Sequence, residues 1–233
     1  MPGNSAGDSR GPHQRPIRRK QRRDFWPDSP YTGAGVLGTA GDKWNMVSGA
    51  FVTTGQSGSN IPLVDASGAA TGVSLSYAGD DSIDVSTFGG IFTGSPLQNL
   101  LTSYLFSRTP HVGTVTLGGL IAGDTYELIL YSVANIPGRS TLFTVDGTTE
   151  TVTPTTTQTL TAGDNYAEFI AAANSSGDLK VAFSGPVEGD LNGIQLLNGP
   201  APSVPEPSSV ALLATGLATI WPLRRRRLRK APA

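Results

Sequence analysis

The sequence predicts an all-β protein, namely a jelly-roll-type β-sandwich with one short helix. Two observations lead to this prediction. The 233 residues include 29 Gly and 17 Pro and only 15% of them are charged, a composition that is typical of a turn-rich β protein. Apolar and polar residues alternate in many short segments separated by turn residues, and nine or more such strands fit a jelly roll better than a seven-strand immunoglobulin-like domain.

The predicted sandwich occupies residues 31–200, between a basic arm (1–30) and a tail (201–233). In its clearest strand, residues 71–77, the side chains of Val73, Leu75 and Tyr77 share one face because strand side chains alternate. Turn residues such as Asp146 and Gly147 separate the strands. Further strands are predicted at residues 111–117, 125–132, 140–146, 148–153, 158–161, 166–173, 179–184 and 191–197.

Residues 96–106 have a helical period instead. Their apolar side chains fall at i, i+3, i+4, i+7 and i+8, with Ser95 as the N-cap and Pro96 at the first helical position. We expect a short helix that caps one end of the sandwich and packs its apolar stripe in the core; a membrane-binding or partner-binding helix is the alternative. The stripe consists of Leu97, Leu100, Leu101, Tyr104 and Leu105.

A second local pattern, Leu120, Gly123 and Tyr126, resembles the corner that precedes a strand in fibronectin-like and other sandwiches. In that corner the Tyr hydroxyl bonds back to the chain a few residues upstream. The pattern therefore predicts a hydrogen bond from Tyr126 to the preceding turn.

Charge is divided unequally along the chain. Residues 31–200 contain four basic and 14 acidic residues, so the body carries about −10 charges and is expected to repel nucleic acid and to favour cations or neutral ligands. The absence of Cys from the sequence excludes disulfides and Cys-ligated metal sites.

The basic arm, residues 1–30, contains seven cations among Pro, Gly and Gln, and this composition predicts disorder. Residues 21–25 faintly resemble a twin-arginine export signal, but the apolar stretch of a signal peptide does not follow. We therefore expect that the export signal is missing from this N-terminus.

The tail has three parts. Pro205, Glu206 and Pro207 form a stiff junction, because both prolines have a fixed φ. Sixteen uncharged residues follow, beginning with Ser208 and ending with Leu223; as a helix they would span about 24 Å, slightly short of the roughly 30 Å of a bilayer core. The last part is a basic cluster that the positive-inside rule leaves in the cytoplasm, so the body is expected outside it. The cluster consists of Arg224, Arg225, Arg226, Arg227, Arg229 and Lys230.

The order Pro-Glu-Pro, apolar segment with Gly216, Arg cluster resembles the PEP-CTERM sorting signal of exported bacterial proteins. The same tail is also labelled as the C-terminal domain of an ice-binding protein, a label that does not imply that the body binds ice. The resemblance implies that a membrane enzyme of the exosortase type is a partner and that it processes the tail during delivery to the cell surface or extracellular matrix. An ordinary tail anchor and a buried C-terminal helix are the alternatives.

The body has a weaker resemblance of its own. Short motifs at residues 37–45, 119–131, 143–147, 165–166 and 188–196 are similar to those of uncharacterised exported domains that carry PEP-CTERM tails and look like galactose-binding-type jelly rolls. This resemblance implies a fold but no activity.

Few residues suggest catalysis. His13 and His111 cannot form a His cluster, and no nucleophile elbow, phosphate loop or HExxH motif is present in the sequence. Two acidic groups occur, and they are compatible with turn residues, with a glycoside hydrolase pair or with Ca²⁺ ligands. We therefore expect neither an enzyme nor a cofactor, with calcium as an open alternative. The groups are Asp80, Asp81 and Asp84, and Glu188 and Asp190.

Nine of the 14 residues 148–161 are Thr. Ice-binding arrays of Thr need stacked repeats, and no such repeat appears in the sequence. Exposed strands favour Thr, so we expect a hairpin around Pro154 or a glycan-bearing loop.

Three function classes follow. The leading hypothesis is a structural or adhesive protein of the cell surface or matrix, in contact with exopolysaccharide. The second is a carbohydrate-binding module, and the third is a secreted glycan-active hydrolase. The aromatic residues that could stack on a sugar in such a module are Trp44, Tyr77, Tyr104, Tyr131 and Tyr166.

Overall fold

The computed structural model describes residues 31–47, 55–84, 90–134 and 136–198, apart from the side chains of Ile83 and Asp84. The basic arm and the tail lie outside the described residues. The described residues form an all-β protein of twelve strands with one short helix, α1 (Gln98–Leu101). The strands are β1 (Gln56–Val64), β2 (Ala70–Gly79), β3 (Asp81–Asp84), β4 (Ser103–Arg108), β5 (Gly113–Gly118), β6 (Thr125–Tyr131), β7 (Thr141–Val145), β8 (Thr148–Val152), β9 (Tyr166–Ala172), β10 (Leu179–Ser184), β11 (Glu188–Leu191) and β12 (Gly193–Asn198).

These strands form three antiparallel sheets. One has six strands in the order β1-β2-β5-β10-β7-β8, and two have three strands each, β11-β4-β3 and β12-β6-β9. The six-stranded sheet and the β12-β6-β9 sheet pack face to face, because inner-face residues of both belong to one apolar core. Val115, Val181 and Phe183 come from the large sheet, and Leu128 and Phe169 come from the small one.

Alternation along the strands explains the two layers. In β5 and β10 every second residue is buried and the others are at least partly exposed. The hairpin between β7 and β8 turns at Asp146 and Gly147, where φ is +46° and +77°; a two-residue turn of this kind matches the twist of the flanking strands.

A second, smaller core covers part of the outer face of the β12-β6-β9 sheet. Ile129 and Tyr131 of β6 point away from the main core and pack against Leu100 and Leu101 of α1 and against Phe92. The segment 31–47 crosses this face as well, with Val36, Leu37 and Trp44 packed against the second core. Strand β6 is therefore covered on both faces.

The predicted corner is confirmed. The amide of Ile121 donates a hydrogen bond to the hydroxyl of Tyr126 (3.0 Å), five residues further along the chain. The Tyr126 ring is buried in the main core, so the corner fixes the entry of the chain into β6.

The predicted helix at residues 96–106 is wrong in its extent. The N-cap is Leu97 rather than Ser95, and after α1 the chain continues as β4, which pairs with β3 and β11. Five consecutive residues of β4 are buried, because both faces of the strand are covered. A strand buried on both faces has no alternation, so Tyr104 and Leu105 matched the helical period as well.

Two further strand predictions are corrected. Residues 158–161 are irregular, because the hydroxyls of Thr155 and Thr157 accept hydrogen bonds from amides two residues further on and so stabilise local turns. The strand predicted at 191–197 is two strands, β11 and β12, which are separated by Asn192.

Candidate functional site

The candidate site is a cleft at the edge of the sandwich. The two three-stranded sheets leave inner-face side chains of β1 and β2, such as Leu63, Val73 and Leu75, only partly covered. The cleft opens between these two strands and the edge strand β12, and its volume is about 660 Å³. Pockets of about 300–1,000 Å³ typically bind small molecules in proteins.

The walls of the cleft are mainly aliphatic. Leu63 of β1 and Val73 and Leu75 of β2 form one wall, and Ile194 and Leu196 of β12 form the other. All five are half-buried, although they lie on the inner faces of their sheets and pack against the main core. Val115 and Leu117 of β5, which are buried, lie deeper in the cleft.

Residues 43–47 form one lip of the cleft. Asn45 uses its side chain as a substitute for a neighbouring strand, since its Nδ2 donates to the carbonyl of Val64 (2.7 Å) and its Oδ1 accepts from the amide of Val64 (2.8 Å). The amide of Lys43 donates to the carbonyl of Ala66 (2.9 Å). Val47 lines the cleft, and residues 48–54, which follow it, lie outside the described residues.

A hydrogen-bonded pair, Tyr131 and Gln195, attaches residues 36 and 37, upstream of the lip, to the small sheet. The Tyr131 hydroxyl accepts from the amide of Val36 (2.6 Å) and donates to Oε1 of Gln195 (2.6 Å). The Gln195 Nε2 in turn donates to the carbonyl of Leu37 (3.0 Å). Burial raises the pKa of Tyr131 above its ordinary value, so the hydroxyl stays protonated and remains a donor.

The rim of the cleft is polar. Asp42, Lys43 and Asp65 are the charged residues among those that line it. The hydroxyl and amide of Thr39 lower the pKa of Asp42, and the hydroxyl of Ser67 followed by the amide of Ala69 lowers that of Asp65. Both carboxylates are therefore ionised at neutral pH and are hydrogen-bonded within their own turns.

Two of the five predicted stacking residues, Trp44 and Tyr77, line the cleft. Tyr104 and Tyr131 are only 1% and 0% exposed, so neither presents a ring face to solvent: Tyr104 packs against Phe106 with ring centroids 6.1 Å apart, and Tyr131 contacts Trp44 at 6.0 Å. Tyr166 packs against Tyr131 at 6.2 Å. Tyr131 belongs to the second core on the outer face of the small sheet and Tyr166 packs against that core, and the burial of large apolar rings accounts for these positions.

The first acidic group is engaged at a sheet edge. Oδ2 of Asp80 accepts from the amide of Arg108 (2.6 Å), and its Oδ1 lies 2.8 Å from Nδ1 of His111. Asp81 accepts from the amide of Ser82 (2.8 Å). The side chain of Asp84 is not among the described ones.

The second acidic group is buried, and one of its members, Glu188, is paired with arginine. Glu188 forms a salt bridge with Arg139, and the Nε of Arg108 lies 4.0 Å from its Oε2. Burial raises the pKa of Asp190 to about 8, the negative charge of Glu188 adds to the rise, and the Arg139 guanidinium offsets part of it. In the described part of the chain, no group of three or more His, Asp or Glu side chains is arranged to hold a metal ion.

Sequence reasoning missed Asn45 and Gln195, which shape the cleft. Each is a single amide side chain that bonds to backbone groups far away in the chain. No local sequence pattern predicts such a bond, because it depends on how the strands pair. The residues predicted to form the sorting signal, Pro205, Glu206 and Pro207, lie outside the described residues, as do the apolar segment and the basic cluster of the tail. Among the helices of the described residues, none is long and apolar enough to cross a membrane.

No protein-family model matches this chain, and no curated protein matches it. Among solved structures, the chain is similar to the plant receptor-like kinase ANX2, with a TM-score of 0.36 and 13% sequence identity. The match covers 52% of this chain and 40% of that one, so the chain spans less than half the length of the kinase structure.

Proposed function

We propose that this chain is an exported bacterial surface protein, that its PEP-CTERM-type tail attaches it to the membrane for sorting by an exosortase-type enzyme, and that its body is a non-catalytic adhesive module. The tail is the observation that carries the proposal. It combines Pro205-Glu206-Pro207, 16 uncharged residues and six cations in that order.

The position of the tail on the body supports the proposal. The last described strand, β12, ends at Asn198, and the nine residues 199–207 that separate it from the apolar segment include four prolines. Proline-rich linkers are semi-rigid spacers, and one of nine residues would hold the body outside the bilayer but within about 30 Å of it. The acidic body, with its 14 acids against four bases, favours neutral or cationic partners over nucleic acid.

We further propose that the sandwich is of the jelly-roll type. The large sheet pairs β2 with β5, β5 with β10 and β10 with β7, all strands that are not consecutive in the chain. Such crossing connections are typical of Greek-key and jelly-roll sandwiches.

A carbohydrate-binding module is the second candidate, because Trp44 and Tyr77 line the cleft. Its walls argue against a sugar as the main ligand, since the hydroxyls of a glycan would be left without partners beside Leu63, Leu75 and Leu196. Binding of the full chain to a glycan array would favour this second candidate.

The proposal is tested in a host with a PEP-CTERM sorting system, with an export signal placed before Met1. We expect the protein in the surface or matrix fraction, with a C-terminus shortened near Pro207, when the exosortase is present. Without the enzyme, the chain should stay in the membrane. A Glu206→Ala variant should also stay there, while Ser203→Ala, in the same linker, should be processed normally. An intact C-terminus ending in Ala233 in the secreted protein would contradict the proposal.

A further inference from the structure

The cleft is lined by apolar side chains that the sandwich leaves half-exposed. Val73 and Leu75 on one wall face Ile194 and Leu196 on the other. Contiguous apolar surface of this kind, bordered by polar residues, marks a binding site for an apolar ligand or partner.

The chemistry of the walls favours a long saturated chain. Aliphatic side chains offer dispersion contacts and remove methylene groups from water, but they supply no hydrogen-bond donors or acceptors. The exposed polar side chains of the lining include Asn45 and Asn198, whereas Ser103 and Asn192, which also line the cleft, are buried. A ligand with an apolar chain and a polar end matches this division.

The route of the chain indicates where such a ligand comes from. Asn198, the last residue of β12, lines the cleft, and the apolar segment of the tail begins at Ser208. The nine intervening residues can span at most about 30 Å. With the tail in a membrane, the rim of the cleft therefore stays within that distance of the bilayer.

The charges at the rim select the head group. Asp42 and Asp65 outnumber Lys43 there, and the body as a whole is acidic. An anionic head group would be repelled, whereas a zwitterionic one brings its own cation.

We propose that the cleft binds one acyl chain of a zwitterionic phospholipid from the membrane in which the tail is inserted. This inference rests on the proposed function, because the tail brings the cleft to the bilayer. The head group lies at the polar rim beside Asp42 and Asp65, and the acyl chain lies between β2 and β12.

The chain contains its own probes, since its three Trp residues are Trp26, Trp44 and Trp221. Trp44 lines the cleft, and Trp221 lies in the apolar tail segment. The full chain carrying W26F and W221F is reconstituted into phosphatidylcholine vesicles whose acyl chains are brominated, and Trp44 emission is compared with that in unlabelled vesicles. A second protein carrying W26F and W44F reports on Trp221 in the same way.

We expect the brominated chains to quench both Trp44 and Trp221. Quenching of Trp221 alone would overturn the acyl-chain proposal and leave the membrane tail intact. Quenching of Trp44 alone would support the cleft and contradict the insertion of the tail. If neither is quenched, both the membrane attachment and the acyl-chain occupant are wrong.

Variants separate binding in the cleft from mere closeness to the bilayer. L75E places a carboxylate on the wall and should abolish quenching of Trp44, while I170E, on the exposed outer face of β9, should leave it unchanged. If L75E fails to fold, V73F together with L196F fills the cleft with apolar rings and should also abolish quenching. Quenching of Trp44 that survives the filled cleft would overturn the proposal.

Replacing phosphatidylcholine by phosphatidylglycerol should weaken the quenching of Trp44. Equal or stronger quenching would contradict the assigned head group.

Discussion

The two ends of the large sheet are built from the same kinds of residue but differ in what covers them. In β7 and β10, Phe143, Val181 and Phe183 are buried almost completely. At β1 and β2, Val73 and Leu75 occupy equivalent inner-face positions and are half-buried. We refer to these two regions as the closed half and the open half.

The comparison shows that coverage, rather than residue type, distinguishes a core from a binding surface. Both three-stranded sheets contribute to the main core, yet they leave inner-face side chains of β1 and β2 only partly covered. Apolar side chains in the closed half are removed from water by folding alone. Those in the open half stay partly in water, and a ligand that covered them would gain the remaining burial free energy. The following predictions test this difference.

The largest expected effect is the loss of a ring from the closed half. Phe183→Ala should lower the free energy of unfolding by about 4 kcal/mol, because it removes a buried ring and leaves a cavity. Leu75→Ala, in the open half, should cost only about 1–2 kcal/mol, because the side chain is already partly in water. Urea unfolding of both variants measures the difference, and equal losses would mean that the open half is as well covered as the closed one.

The next effect is a dependence of stability on pH that comes from a buried carboxyl. Asp190 has a pKa of about 8 in the folded protein and about 4 when unfolded. The folded state therefore binds more protons between these values, so stability should fall by a few kcal/mol as pH rises from about 4 to 8. Asp190→Asn should flatten this slope in urea unfolding measured across the same range.

The rim of the open half should behave in the opposite sense. Because hydrogen bonds lower the pKa of Asp65, its contribution is present above the unfolded pKa and is lost as pH falls through the lower folded pKa. Asp65→Asn should therefore lower stability at neutral pH and make little difference in strong acid, where the unsubstituted protein has lost the same contribution. For the preceding prediction, a fall of stability between pH 4 and 8 that persists in Asp190→Asn would contradict the assignment of that fall to Asp190.

A smaller effect is expected where Tyr131 attaches the segment 31–47, which includes the lip, to the small sheet. Tyr131→Phe removes the acceptor of the Val36 amide and the donor to Gln195, which should cost about 1–2 kcal/mol. Because Trp44 packs against Tyr131, the emission of Trp44 should change as well. Tyr126→Phe, on the same strand, is the matched control: it should cost a similar amount through the Ile121 amide and leave Trp44 unaffected. Identical Trp44 emission spectra for the two variants would contradict the attachment of this segment through Tyr131.

Much of the fold was predictable because local alternation is strong. The strands β5, β9 and β10 bury every second residue, and the Tyr126 corner follows from three residues. Strand β1 was not predicted: it contains Pro62 and Asn60 with a positive φ, and its register shifts twice against β2. Such an irregular edge has little periodicity to detect.

The cleft was only partly predictable. That Val73, Leu75 and Tyr77 share a face follows from a period of two. That this face is uncovered depends on the number of strands in the opposite sheet and on the position of β12, more than 100 residues away in the chain. No local pattern contains that information, and the same limit applies to the pairing of Asn45 with Val64.

The most direct test of the open half uses the absence of Cys from the sequence. Leu75→Cys and Val181→Cys place single thiols on the inner face of the large sheet, one in the open half and one in the closed half. The rates at which a maleimide labels them are measured in the native full chain. We predict that Cys at position 75 reacts rapidly without unfolding, whereas Cys at position 181 reacts only through opening of the core and therefore much more slowly. Equal protection of both thiols would contradict the account, because the cleft between β2 and β12 would then be closed in solution.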